Sequence, residues 1–275
     1  MSNRVCLLVI DPQVDFCDQN KGALAVGGAD EDMKRLAAMI EKYPGDISNI
    51  QITMDSHFRL HIAHAIMWVN KNNKRPIPIF LKEGNTAPTY LTLDLVENGE
   101  FRAYNPAWQD VFLNYVTKLK ENKRYDLMIW PEHCIIGTPG QCLDPIFHEA
   151  VSKWEERYHT IAAITTKGSN PFTEHYSAVK ADVEDTKDRR TRLNTDLINL
   201  LKEYDIILGA GEALSHCFAN TMRDVFEQFS AEQVKKFVLL KDATSSVFGC
   251  EQMGDDFINE FTAKGMQVAT TTSYF

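Results

Sequence analysis

The sequence predicts an α/β fold built on a mostly parallel central sheet, and two observations carry that prediction. Short apolar runs recur through the 275 residues. They are continuous instead of alternating, as strands buried on both faces are. Longer stretches with apolar residues at helical spacing lie between them. Alternation of the two is the pattern of a parallel sheet with helices packed on its faces.

In chain order, Val5–Ile10 (VCLLVI) is the first run, and Glu31–Lys42 follows with Met33, Leu36, Ala37 and Ile40 on one helical stripe. Ile50–Met54 (IQITM) is the second strand. The stretch from about 66 to 124 fits less well, with a strand near Ile77–Leu81 and a helix over Trp108–Lys120, and reads as an insertion or lid. Asp126–Ile129 and Ile161–Thr165 are further strands, and Thr191–Tyr204 is a helix on Leu193, Leu197, Leu200 and Leu201. The pattern then gives strand Ile206–Leu208, helix His216–Phe229, strand Phe237–Leu240, helix Gly254–Lys264 and a weaker strand Gln267–Thr271. No repeat, low-complexity tract or linker marks a second domain, so residues 1–275 are expected to form one.

Composition narrows the function. A chain of this size buries roughly 70–75% of its unfolded surface and needs no staple. Asp plus Glu is 38 against 29 Lys plus Arg, a net charge of −9, which argues against broad binding to nucleic-acid phosphates. No run of 18 apolar residues is present, so no membrane span is expected. The first apolar run ends at Asp11 and reads as a strand, not a signal peptide. The six cysteines form no C-x-x-C pair, which fits a reducing, cytoplasmic setting better than a disulfide framework or zinc ribbon.

Ligands of open parallel sheets bind beyond the carboxyl ends of the strands. Asp11, Asp55, His133 (in WPEHC), Lys167 and Cys217 follow five of the expected strands. Five reactive groups on one rim make a site hypothesis. Cys217 opens the expected helix HCFANTMRDVFEQF, where a helix N-terminus lowers a thiol pKa and backbone amides can hold an oxyanion. Cys6, Cys142 and Cys250 read as inert buried thiols. Asp55 and His57 lie on one face of an extended segment. Together with His61, His64 and the distant His133 they form a carboxylate–imidazole set suited to zinc, iron or manganese. Lys167 alone would be an exposed lysine; the company of Asp11 and Cys217 promotes it.

Taken together, the segments VCLLVIDPQVDFCDQNKGALAVGGA, TMDSHFRLH, IWPEHCIIGTPG, TTKG and GEALSHCFANT resemble the isochorismatase-like cysteine hydrolases, in particular their nicotinamidase-type members. The resemblance runs in order from residue 5 to about 224. It implies a single-domain three-layer sandwich around a Rossmann-like sheet. It implies Cys217 as nucleophile, Asp11 as proton acceptor and donor, and Lys167 as the third member of the triad. Backbone amides of Ala213 and Cys217 would form the oxyanion hole, with a cis peptide at Glu212–Ala213. Asp55, His57 and His133 would hold one divalent ion, zinc first, with His61 the better fourth ligand and His64 an ordinary helix residue. Phe16 and Trp130 would sandwich the substrate ring.

The implied activity is hydrolysis of nicotinamide to nicotinate and ammonia through a Cys217 thioester, a step of NAD salvage, by a homo-oligomer with no nucleic-acid or membrane partner. The long separation of His64 from His133, and Glu174 and His216 as substrate contacts, leave two alternatives. One is a related hydrolase of another small amide, carbamoyl or ureido compound. The other is a non-catalytic ligand-binding member. Isochorismate hydrolysis is disfavoured because it does not need the metal set.

Overall fold

The computed structural model describes residues 3–79 and 89–275. Ten strands and nine helices are assigned among them. The strands are β1 Val5–Ile10, β2 Asn49–Asp55, β3 Trp68–Asn70, β4 Tyr90–Leu91, β5 Phe101–Ala103, β6 Leu127–Met128, β7 Ala163–Lys167, β8 Ile206–Gly211, β9 Phe237–Leu240 and β10 Gln267–Ala269. The helices are α1 Val14–Cys17, α2 Ala29–Lys42, α3 Leu93–Glu97, α4 Gln109–Glu121, α5 Pro145–Tyr158, α6 Thr195–Lys202, α7 Ala219–Glu227, α8 Ala231–Val234 and α9 Glu251–Thr262.

Six strands form one sheet in the order β10-β9-β8-β1-β2-β7, and every pairing in it is parallel. All six residues of the central β1 are buried, as a strand flanked on both sides and covered on both faces must be. Gly211 ends β8 at φ +101°, and a Cβ there would fall 2.1 Å from the Ile10 carbonyl oxygen. Only glycine lets β8 run this close to β1 at the rim where β1 ends.

The helices bury the stripes their spacing announces. In α2, Met33, Leu36, Ala37 and Ile40 are buried, and Asp30, Glu31 and Asp32 occupy the first turn, where carboxylates favour the helix dipole. The helix α5 is absent from the sequence expectations. Its start is well specified: the Asp144 side chain accepts from the Ile146 and Phe147 amides, and Pro145 stands at the first helical position, which suits its missing N–H. Phe147, Ala150, Val151 and Trp154 then turn inward.

Two expected elements change character. Asp126–Ile129 is not a strand of the central sheet. Its Leu127 and Met128 pair antiparallel with Leu91 and Tyr90 in a separate two-stranded ladder, so apolar character here serves local packing. The expected helix from Thr191 begins only at Thr195, because the Asn194 side chain caps it at the Leu197 amide. The strand expected near Ile77–Leu81 runs into residues 80–88, outside the described residues.

The stretch from 66 to 124 contributes β3 and β5, paired antiparallel, with α3 and α4. Helix α4 buries Phe112, Tyr115, Val116 and Leu119. No helix among the described residues is long and apolar enough to cross a membrane.

Candidate active site

Lys167, the last residue of β7, lies with Asp11 behind a cavity that Asp55 lines, and all three are buried. Its ammonium sits 2.9 Å from Asp11 Oδ2 and 2.9 Å from Asp55 Oδ1, and it donates to Cys217 Sγ at 3.5 Å. Neighbouring parallel strands set this convergence: Asp55 and Lys167 are register partners across β2 and β7, and Asp11 directly follows β1. Burial alone would lower the lysine's pKa. The two carboxylates outweigh it and hold Lys167 well above its usual value, so it stays charged.

Asp11 turns through a left-handed backbone (φ 44°). Thr53, two residues before Asp55 on the same face of β2, donates its hydroxyl to Asp11 Oδ1 at 2.6 Å. The Asp11 amide in turn donates to Thr53 Oγ1 at 3.1 Å. Burial raises the Asp11 pKa, opposed by Lys167.

Cys217 lies in a wide π turn, Leu214–Phe218, that precedes α7. The helix proper begins at Ala219 and not at His216. Burial pushes the Cys217 thiol well above its usual value, against the pull of Lys167. Desolvation thus opposes the thiolate that a helix end and the Lys167 charge favour. Asp11 lies within hydrogen-bonding reach of Cys217 to take the proton. The peptide Glu212–Ala213 is cis. Ala213 lines the cavity, and among the described residues no acceptor takes its N–H.

Beside this cluster stands a second one. Ligand atoms of Asp55, His57 and His133 all lie within 4.8 Å of one another, all buried. His57 Nδ1 donates to the Gly168 carbonyl at 3.0 Å and His133 Nδ1 to the Pro131 carbonyl at 2.8 Å. Both rings therefore turn the Nε2 lone pair inward. The two Nε2 atoms stand 3.2 and 3.7 Å from Asp55 Oδ2, and His57 Nε2 has no hydrogen-bond partner. Three acceptors facing one another, each with its far side fixed, fit a cation between them. Asp55 belongs to both clusters, one oxygen toward Lys167 and one toward the histidines.

His133 reaches this place from an irregular stretch, not from a sheet strand. Single bridges pair His57 with Ile135 and His64 with Trp130 and hold that stretch to the 57–64 loop. The fourth-ligand candidate, His61, lies beside these groups with both ring nitrogens engaged. His61 Nε2 donates to the Thr173 carbonyl at 3.1 Å and Nδ1 accepts from the Ala63 amide at 3.3 Å, so neither nitrogen is free. His64 is no helix-surface residue but fully buried. Its Nδ1 donates to the Arg59 carbonyl, and its Nε2 is the one left unpartnered. Its ring lies 5.6 Å from those of both His57 and His133.

A narrow cavity lies above these groups. Phe16, Trp130, Glu174 and His216, all expected at the substrate, line it together with Asp55, His133, Ala213 and Cys217. Trp130 donates its indole N–H to Tyr176 Oη at 2.6 Å, which fixes two aromatic walls against each other. Burial lowers the His216 pKa to about 4, so its ring is neutral. Glu174 accepts from the His175 amide through Oε1, while Oε2 is buried and unpartnered.

The sequence reading missed several of these residues. Leu24, Val26, Tyr176 and Val247 also line the cavity. Gln13 orients the Asp55 backbone: its Oε1 accepts from the Asp55 amide at 2.6 Å, and its Nε2 donates to the Asp55 carbonyl at 2.8 Å. Gln13 stands two residues after Asp11, and that closeness was the available signal. No described residue of 66–124 lines the cavity. That stretch meets its wall at one remove, where Tyr115 Oη of α4 accepts from the Glu174 amide at 3.1 Å. Of the cysteines read as buried and inert, Cys142 is exposed.

No family model matches the chain. A curated nicotinamidase of Escherichia coli (strain K12) is 29% identical over 100 residues, 36% of this chain. That match spans about two-fifths of the relative's length, 39%. Among solved structures, a yeast nicotinamidase superposes with a TM-score of 0.61 at 19% identity, covering 96% of this chain and 99% of that one. A Pyrococcus horikoshii pyrazinamidase in complex with zinc gives 0.53 at 18%, covering 97% and 99%. An isochorismatase-like hydrolase from Alkaliphilus metalliredigens gives 0.52 at 16%, covering 98% and 95%.

Proposed function

We propose that this chain, which has the fold of the nicotinamidases and isochorismatase-like hydrolases, is a metal-dependent cysteine amidohydrolase acting on nicotinamide. One observation carries the reading: a buried lysine ammonium touches two carboxylates and a cysteine sulfur behind an aromatic cavity. Such an arrangement activates a nucleophile that is weak on its own.

The steps follow from the residues. Asp11 takes the Cys217 proton as the sulfur attacks the carboxamide carbon. The carbonyl oxygen becomes an oxyanion, which the amides of Ala213 and Cys217 receive. Asp11 returns the proton to the nitrogen, the C–N bond breaks and ammonia leaves a thioester on Cys217. A water then gives a proton to Asp11 and its hydroxide to the acyl carbon. The C–S bond breaks, nicotinate leaves and the thiol regains its proton. Lys167 keeps its charge throughout and offsets the negative charge passed between Asp11 and sulfur. Phe16 and Trp130 hold the ring.

Asp55, His57 and His133 would hold the divalent ion, zinc on this reading, with His64 beside them. A bound ion of this kind supplies Lewis acidity toward a ring nitrogen and acidifies water. A nucleophilic cysteine also suits a reducing, cytoplasmic setting, and nicotinamide hydrolysis by a homo-oligomer of this chain would serve NAD salvage.

The unpartnered Glu174 Oε2 favours one second reading, a small amide, carbamoyl or ureido compound that brings its own N–H donor. Ammonia release from nicotinamide and a panel of such compounds decides between them, with metal content measured on the same sample. Release from nicotinamide that disappears in Cys217→Ala supports the first reading. Turnover confined to the other compounds supports the second. No turnover and no acyl-Cys217 adduct by mass spectrometry refutes both.

A further inference from the structure

We propose that Glu212 is a positioning residue for the hydrolysis inferred above: a hydrogen bond donated by its carboxyl group to Asp32 braces the turn that presents the Ala213 amide to the cavity. The inference rests on that functional reading for its kinetic consequences and on the geometry below for the hydrogen bond itself.

Glu212 follows β8 and precedes Ala213, and it is fully buried. Its amide donates to the Ile10 carbonyl at 2.7 Å. Its Oε2 accepts from the Ser245 amide at 3.1 Å. Its other oxygen, Oε1, is buried and meets no donor. The carboxyl group of Asp32 on α2, itself 2% exposed, faces Glu212 across Ser245, whose amide serves one carboxyl group and whose hydroxyl serves the other. Asp32 already has a donor on each oxygen: Arg35 donates to Oδ1 at 2.6 Å and Ser245 Oγ to Oδ2 at 2.5 Å.

Two carboxyl groups in one buried site cannot both be charged unless cations match them. The Arg35 guanidinium pairs with Asp32, and the neighbouring Cys17 is a thiol held neutral by burial. The proton between the carboxyl groups therefore belongs to Glu212. Burial and the Asp32 charge raise its pKa well above the usual carboxylate range.

This hydrogen bond sits where the site is assembled. Residues 244–247 lace the turn on both sides of Ala213. Thr244 Oγ1 donates to the Gly211 carbonyl at 2.5 Å. The Leu214 amide donates to the Ser245 carbonyl at 2.8 Å, and the Val247 amide to Ser215 Oγ at 3.0 Å. Glu212 holds the Ser245 amide within that lacing and ties it to α2. Ionising Glu212 would set a second negative charge against Asp32 and press the turn away from the helix. An oxyanion donor misplaced in this way loses part of a contribution normally worth 10²–10³ in rate.

The test is a pH series on three proteins: the native chain, E212Q and E212A. Gln keeps the shape, donates from its amide to Asp32 and accepts from Ser245, and it cannot ionise. The native enzyme is expected to show an alkaline fall in kcat for nicotinamide, and E212Q to keep kcat within about threefold at pH 7 and to lose that fall. E212A is expected to lose about 10–100-fold in kcat with KM changed less than about threefold. Thermal melts supply a readout independent of activity. A raised folded pKa means that native stability falls as pH rises above the ordinary Glu value, so the Tm advantage of E212Q should widen from pH 5 to pH 9. An alkaline limb unchanged in E212Q, or a Tm difference flat across that range, overturns the proposal. If the native chain hydrolyses no amide, the functional reading fails by itself, and the melts alone decide where the proton lies.

Discussion

Replacing Gly168 by alanine tests how tightly the backbone and the histidine cluster are bound together. Gly168 follows Lys167 at φ +81°, where L-residues pay about 1–2 kcal/mol. An added Cβ would lie 2.6 Å from His57 Cε1 and 2.8 Å from both His57 Nδ1 and Asp55 Oδ1, with the Gly168 carbonyl already holding His57. Overpacking of a close-packed site costs a further 1–3 kcal/mol or so. The sum is about 2–5 kcal/mol, or a fall in Tm of roughly 3–9 °C for a chain of this size. Gly249→Ala is the control, because it shares the left-handed backbone (φ +78°) but meets nothing within 4 Å. It should lose only the backbone part, about 1–2 kcal/mol, and none of its metal. Melting curves with bound divalent metal measured on each variant form the assay. Gly168→Ala should lose metal together with stability, since any relief of the clash moves His57 or Asp55. Gly168→Ala that melts and binds metal like Gly249→Ala would refute the reasoning.

Further outcomes follow from the site and its surroundings. His57→Ala or His133→Ala should cut bound divalent metal at least about tenfold, by elemental analysis after dialysis; equal content in both variants would remove the assignment. His64→Ala should weaken metal retention more than His61→Ala, which should instead lower Tm by freeing the Thr173 carbonyl; the reverse order would restore His61 as a ligand. Lys167→Met should destabilise the fold by about 3–5 kcal/mol, because it leaves Asp11 and Asp55 buried without their cation; an unchanged chemical-denaturation midpoint would contradict this. Asp182 is fully buried against Tyr125, Arg124 and Asp224, and burial raises its pKa to about 7. Its folded pKa exceeds its unfolded one, so native stability falls between pH 4 and 8, and Asp182→Asn should gain on the native chain by up to about 4 kcal/mol at pH 8. A gain that does not change with pH would show that Asp182 does not titrate there.

Much of the fold was legible because its signals are local. The run VCLLVI can be little else than a strand covered on both faces, and β1 is buried along its whole length. The same kind of signal misled at Asp126–Ile129. An apolar run does not distinguish a central strand from the two-residue ladder that Leu127 and Met128 make with Tyr90 and Leu91. That choice lies in contacts more than thirty residues away. The helix α5 had a readable start in Asp144-Pro145 and a readable stripe through Phe147, Val151 and Trp154. Its charged residues, Glu149, Glu155, Glu156 and Arg157, masked that stripe.

In the site, positions were legible and states were not. Asp11, Lys167 and Cys217 could be picked out because each stands at a strand end. The upward push on the Cys217 thiol comes from burial by the whole fold. Likewise, spacing along a loop cannot rank His61 against His64. The ranking rests on which ring nitrogens meet the Thr173 carbonyl and the Ala63 amide, and those partners come from tertiary structure.

The exposure of Cys142 bears on how the nucleophile can be counted. Among the six free cysteines, five are buried and Cys142 alone is open to solvent. Bulky thiol reagents will therefore modify Cys142 first, while Cys217 lies buried in the wall of a narrow cavity. The stoichiometry of alkylation will overstate the number of working centres, and partial labelling can leave activity intact. Replacing Cys142 with serine removes that background, so that covalent titration then reports Cys217.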